Sequence, residues 1–161
     1  GAGFADAIKS ATQYRQGSEI ITEIAIDLDG GAMNEGGAAR KVVGENGAAC
    51  EIAELTVANF GYITEVRAVV VEDIASNGSI DDLDLEYAAA SANGGDLLST
   101  AVIMSALTDA GVDKSTAYDA NDLAGKFLFL VDGKAGGNTA RVFSAGKILI
   151  YIHGFEAPDD I

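Results

Sequence analysis

From Glu19 the chain reads EIITEIAIDLD, in which Ile20, Thr22, Ile24, Ile26 and Leu28 interleave with Glu19, Glu23, Asp27 and Asp29. A repeat of two residues marks a strand with one face buried and the other in water, because successive side chains point to opposite sides. Further strands are expected at 48–58 (AACEIAELTVA), whose facing is ambiguous, and at 62–72 (YITEVRAVVVE), which is strongly β-branched. DDLDLEYA (81–88) alternates cleanly, and KFLFLVDG (126–133) and RVFSAGKILIYIHGF (141–155) complete the set. Turn signals separate them: Gly30-Gly31, Gly36-Gly37, SNGS at 76–79 and GKAGGNTA at 133–140. Strand, glycine turn, strand at the C-terminal end reads as hairpins. With some seven or eight short strands and no alternation with long helices, the expected fold is all-β, an antiparallel sandwich of jelly-roll type, not a doubly wound sheet.

Two segments depart from this pattern. Residues 95–113 (GDLLSTAVIMSALTDAGVD) form the one good helix candidate: Asp96 could cap its start, Gly111 could end it, and Leu97, Ala101, Met104 and Leu107 would share a face. A loop with a short strand is the alternative. The first 17 residues carry only Phe4, Ile8 and Tyr14 as sizeable apolar anchors among small residues. Ordering a residue costs about 1–2 kcal/mol of backbone entropy, and burying a large apolar side chain returns roughly 1.5–3 kcal/mol. Residues 1–17 are therefore expected to be an arm reaching to a neighbouring subunit or partner, with an edge strand folded back on the sandwich as the alternative. Residues 18–161 form the single sandwich domain. The initial Gly1 would suit removal of a starting methionine.

The 161 residues include 25 Asp plus Glu and 10 Lys plus Arg, a net charge of −15. Such a surface is repelled by duplexes and anionic membranes, so neither direct nucleic-acid nor membrane binding is expected. No stretch reaches the roughly 18 apolar residues of a membrane span, and the N-terminus shows no export signal, so a soluble protein is expected. Cys50 is the single cysteine. It allows no intrachain disulfide and reads as a small core residue.

Sites of known chemistry fare poorly. ILIYIHGFE (148–156) ends at the only histidine, followed by glycine, as lipase oxyanion loops begin. A nucleophile elbow needs Gly-x-Ser-x-Gly, and the nearest stretch, 142–146, begins with Val142. His153 could not serve as both loop and base. Its expected place is a strand end with a half-exposed ring. Asp82, Asp84 and Glu86 lie roughly 6.5–7 Å apart along one strand face, an acidic stripe expected to face solvent without metal, with Leu83, Leu85 and Tyr87 inward. Neither that run nor Asp27-Leu28-Asp29-Gly30-Gly31 has the ligand positions of a calcium loop. The glycine pairs match no dinucleotide or phosphate loop. No catalytic residue, metal or cofactor is expected.

FGYITEVRAVVVEDIASNGSIDDLDLEYA, then NGGDLL, then AGKFLFLVDG and AGKILIYIHGF, resembles the layout of small head decoration (cement) proteins of tailed bacteriophages. The residues that carry the likeness are Gly61, Tyr62, Ile63 and Val66, then Leu83 and Leu85, then Gly94, Gly95 and Asp96. The paired openers Ala124-Gly125-Lys126 and Ala145-Gly146-Lys147 complete it, so it spans residues 60–155 and leaves out the N-terminal third.

The resemblance implies a non-enzymatic structural protein of the virion that decorates and stabilises the outer capsid surface. Its partners would be the major capsid protein and other copies of itself, most simply as a homotrimer. Candidate contacts to capsid or neighbouring subunit are Phe4, Ile8, Tyr14 and Arg15. Locally basic contacts would draw on Lys9, Arg15, Arg40, Lys41, Lys126, Lys134, Arg141 and Lys147. The alternative of another class is a carbohydrate- or cell-surface-binding sandwich. Against it, tryptophan is absent and most of the five tyrosines and six phenylalanines fall at inward strand positions.

Overall fold

The computed structural model describes residues 1–29, 41–76, 82–98, 101–133 and 142–157. The expected turns at 30–37 and 133–140 therefore fall wholly or largely outside the described residues, as do most of SNGS and the cations Arg40, Lys134 and Arg141. Among the described residues there are nine strands: β1 (Ile8–Gln16), β2 (Glu19–Asp27), β3 (Ala53–Leu55), β4 (Tyr62–Ser76), β5 (Leu83–Ala88), β6 (Ala101–Leu107), β7 (Asp113–Ala117), β8 (Lys126–Asp132) and β9 (Phe143–Phe155). One α-helical turn, α1 (Val57–Phe60), is capped by the Thr56 side chain, which accepts from the Asn59 N–H.

The strands pair antiparallel, β2 with β9, β3 with β8, β4 with β7 and β5 with β6. Eight strands thus run as one long two-stranded ribbon that turns back between β5 and β6. Rolling it sets β4 beside β9 and β5 beside β8. The result is two sheets, β1-β2-β9-β4-β7 and β3-β8-β5-β6. That is the jelly-roll sandwich, with β1 added at one edge. Ile24, Ile26, Val66, Val70, Ile148 and Ile150 from the first sheet and Leu83, Leu85, Leu128 and Leu130 from the second lie in one buried core. Because β8 and β9 belong to different sheets, the hairpin expected between them is instead a crossing from one layer to the other.

The N-terminal segment does not reach away. Gly17 (φ 62) and Ser18 make a two-residue turn with glycine at its first position, the arrangement of a type II′ hairpin, whose twist suits the strands it joins. β1 pairs with β2 from Gln16↔Glu19 to Ile8↔Ile26. Ahead of it a 3₁₀ turn, Ala5–Ala7, sets Phe4 fully buried in the core and leaves Ile8 half-buried against it. The Gly3 N–H donates to the Ala49 carbonyl at 2.8 Å, and the Glu45 N–H to the Gly3 carbonyl at 2.9 Å. Ladder bonds and the buried ring supply within the chain the contacts that had been expected from a partner.

The helix expected over 95–113 is also replaced. Residues 101–107 form β6, in which Ile103 and Met104 are both buried while Ala101 is exposed, as is Leu97 ahead of the strand. The strand bulges against β5, Ala106 takes a positive φ of 58, and its N–H donates to Asp84 Oδ1 at 3.0 Å. Gly111 has the positive φ (95) expected of it, in the turn from β6 to β7. Asp96 accepts from the Asn93 N–H in a turn and caps no helix.

Candidate interaction face

β9 is the central strand of the five-stranded sheet. Its Ile148, Ile150 and Ile152 point into the core, so Lys147, Leu149, Tyr151, His153 and Phe155 stand on the outer face. Paired residues on antiparallel strands share a face, and the register therefore fixes their neighbours. Phe155 lies between Glu19 of β2 and Tyr62 of β4, His153 between Ile21 and Glu65, and Tyr151 between Glu23 and Arg67. Tyr14 of β1 joins the face opposite Ile21. Tyr14 and Phe155 are 45% and 41% exposed, large values for aromatic rings.

The polar groups on this face are tied together. His153 Nδ1 and Glu19 Oε1 are 2.9 Å apart. Arg67 grips Asp113 as a fork, Nε to Oδ1 at 2.9 Å and Nη2 to Oδ2 at 2.7 Å, while its guanidinium carbon lies 5.5 Å from the centre of the Tyr151 ring. The fork holds the Asp113 carboxyl below its ordinary range and raises Arg67 further. Partial burial, then Glu23 beside it and hydrogen-bonded to it, raises the Tyr151 hydroxyl. At the far end Lys147 donates to Glu72 at 2.8 Å, which lowers Glu72 and raises Lys147.

His153 does not end its strand, which runs on to Phe155. The glycine after it answers to packing. A side chain on Gly154 would run into the Phe60 carbonyl, and one on Gly61 (φ 69) would come within 2.5 Å of the Phe155 carbonyl. Phe60-Gly61 and Gly154-Phe155 thus interlock where α1 meets the end of β9.

The four residues expected to make contacts separate. Phe4 and Ile8 belong to the core, whereas Tyr14 is on the outer face and Arg15 pairs with Glu156 at the surface. Tyr62, Tyr151 and Phe155 were missed as a set. Their signal was the i, i+2, i+4 spacing of Tyr151, His153 and Phe155, legible once strand facing is known. Phe4, Phe60, Phe129 and Phe143 are buried, and Tyr87, Tyr118 and Phe127 pack half-buried against the core, so most aromatics do point inward; Tyr14, Tyr62, Tyr151 and Phe155 are those left on the outer face.

The acidic stripe of β5 is corrected as well. Glu86 is fully buried beside Phe129 of β8, and Asp82 and Asp84 are half-buried. Asp132 is fully buried too. Among the described residues no group of three His, Cys, Asp or Glu could hold a metal ion, and no helix is long and apolar enough to cross a membrane. Cys50 is buried, its thiol raised by burial and donating to the Ala48 carbonyl at 3.1 Å. Comparison with family models, curated proteins and solved structures finds no match to this chain.

Proposed function

We propose that this chain is a structural protein of a bacteriophage particle that binds the outer surface of the capsid and stabilises it, without enzymatic activity. The observation that carries the reading is the outer face of the five-stranded sheet. On a chain of net charge −15, exposed Tyr14 and Phe155 stand there beside half-buried Tyr62, Leu149 and Tyr151. Apolar side chains gathered on an acidic surface mark a site for another macromolecule. The fold is compatible by analogy, since jelly rolls serve in viral shells and lectins alike. Of the contacts expected from sequence, Tyr14 lies exposed on this face, which supports the reading, whereas Arg15 is paired with Glu156. The proposed working state is an oligomer, most simply a trimer, as symmetric self-association is common for such proteins.

The test is uptake by capsids that lack the protein. Purified chain should cosediment with them at a saturating, fixed ratio to the major capsid protein and raise the temperature at which shells open. Shells that take up none would remove the reading. A glycan-binding module is the second reading, favoured by the row of rings on β9, and a specific oligosaccharide hit on a glycan array would put it first.

A further inference from the structure

We propose that the outer face of the five-stranded sheet docks a basic protein surface, with arginine side chains of the partner seated over the β9 rings and against Glu19, Glu23 and Glu65. This rests on the reading that the chain binds a protein shell, and it names the chemistry of the contact. Along β9 the side chains of Tyr151, His153 and Phe155 follow one another at roughly 6.5–7 Å. Each level carries a carboxylate from a flanking strand: Glu23 beside Tyr151, Glu65 beside His153, Glu19 beside Phe155. A guanidinium suits such a place twice over, stacking on a ring while its N–H groups meet carboxylate oxygens.

The protein already makes this arrangement once. Arg67 lies over Tyr151 with its fork on Asp113. Among the described residues no second cation lies over a ring, so the His153 and Phe155 levels offer ring and carboxylate without a guanidinium, Glu19 meeting His153 Nδ1 through Oε1 and presenting Oε2 to a partner. Charge complementarity favours the same occupant, because a chain of net charge −15 draws basic surfaces over long range. A sugar fits less well. Its hydroxyls need donors as well as acceptors, and the guanidinium donors nearest the rings are engaged with Asp113.

The probe is a short peptide alternating glycine and arginine, titrated into the full chain and followed by NMR, with its citrulline counterpart as the uncharged control. Shifts should concentrate on residues 19–23, 62–67 and 151–155, and the citrulline peptide should cause none. The pair Glu19→Gln with Phe155→Ala should weaken the peptide about tenfold. Asp119→Asn with Asp122→Asn, which removes more formal charge from an exposed loop elsewhere, should change it less than about twofold. If Phe155→Ala loses the fold, Glu19→Gln alone gives the same comparison with a smaller loss. Shifts spread over the whole acidic surface, equal loss in both pairs, or an oligosaccharide that moves these residues where the peptide does not, would overturn the proposal. Shells that take up wild type and the Glu19→Gln, Phe155→Ala pair equally would overturn the site while leaving shell binding intact. A peptide mapped to this face on a protein that shells refuse would leave the site and remove the function.

Discussion

In the five-stranded sheet β9 alternates buried Ile148, Ile150 and Ile152 with Leu149, Tyr151 and His153, which keep contact with water. In the four-stranded sheet β8 keeps Leu128, Phe129, Leu130, Val131 and Asp132 all at 0% exposure. Both are strands of one sandwich, and the difference is what lies on their second face. A sheet with one face open needs polar residues at every other position, so its sequence alternates. A strand covered on both faces needs apolar residues throughout and reads as a run, FLFLV. The lesson extends to Glu86, whose place in an alternating stretch pointed to water but whose side of the β5–β8 pair is closed. Period two reports that two faces differ, and does not say that one of them is wet.

That contrast can be broken most sharply in the cores. Phe129→Ala should cost about 3–5 kcal/mol, a fall in melting temperature of roughly 10 °C or more, whereas Tyr151→Ala on the open face should cost under about 1 kcal/mol. Equal losses by calorimetry would mean that the open face is structurally covered. Phe4→Ala should approach the Phe129 value, since the ring is fully buried. A truncation of residues 1–7 that left the melting temperature unchanged would return the N-terminus to the role of a free arm.

Smaller effects sharpen the comparison at its edges. Gly154→Ala should destabilise by about 1–3 kcal/mol through its collision with the Phe60 carbonyl, read from urea midpoints. A neutral result there would deny the interlock at the end of β9. Thr22, buried on β2 beside β1, accepts from Gln13 Nε2 at 2.9 Å, and Gln13 also donates to the Asn59 carbonyl at 2.7 Å. Thr22→Val should therefore cost about 1 kcal/mol in the same assay.

The alkaline limb carries a still finer effect. Tyr118 packs edge-on to Tyr87 with ring centroids 6.3 Å apart, and burial pushes its hydroxyl up to about 12 from 10.0. The folded state thus holds that proton longer than the unfolded one. Its contribution is complete below pH 10 and is lost as pH rises towards about 12. Absorbance titration should find one tyrosine ionising last, and Tyr118→Phe should remove that step.

Much of the architecture was legible because burial on one side imposes period two whatever the neighbours. β2, β5 and β9 lie within the stretches so expected and β8 within its apolar run, while β4 begins at Tyr62 as expected but runs on past 72 to Ser76. β1 and β7 were not, because IKSATQYRQ and DKSTA are exposed edge strands with little apolar patterning, held by pairing to β2 and β4. Of the candidate face, the β9 row could be read from its spacing, but its flanking carboxylates could not. Glu19 and Glu65 come from strands far apart in the chain, and only their register against β9 brings them to it.

By itself, then, the sequence determined that this chain is all-β, acidic and rich in turns, because side-chain period and charge are local properties that no later packing can change. Tertiary structure alone decided the rest. It made residues 101–107 a strand, since pairing with β5 offered backbone bonds and burial to Ile103, Met104 and Leu107 that an isolated helical turn could not match. It laid residues 8–16 on the sheet and buried Phe4, because a Gly17-Ser18 turn placed the segment within reach of β2. And it gathered rings and carboxylates on one face, since a rolled ribbon brings strands distant in sequence side by side, and neighbours across a sheet are chosen by register rather than by order along the chain.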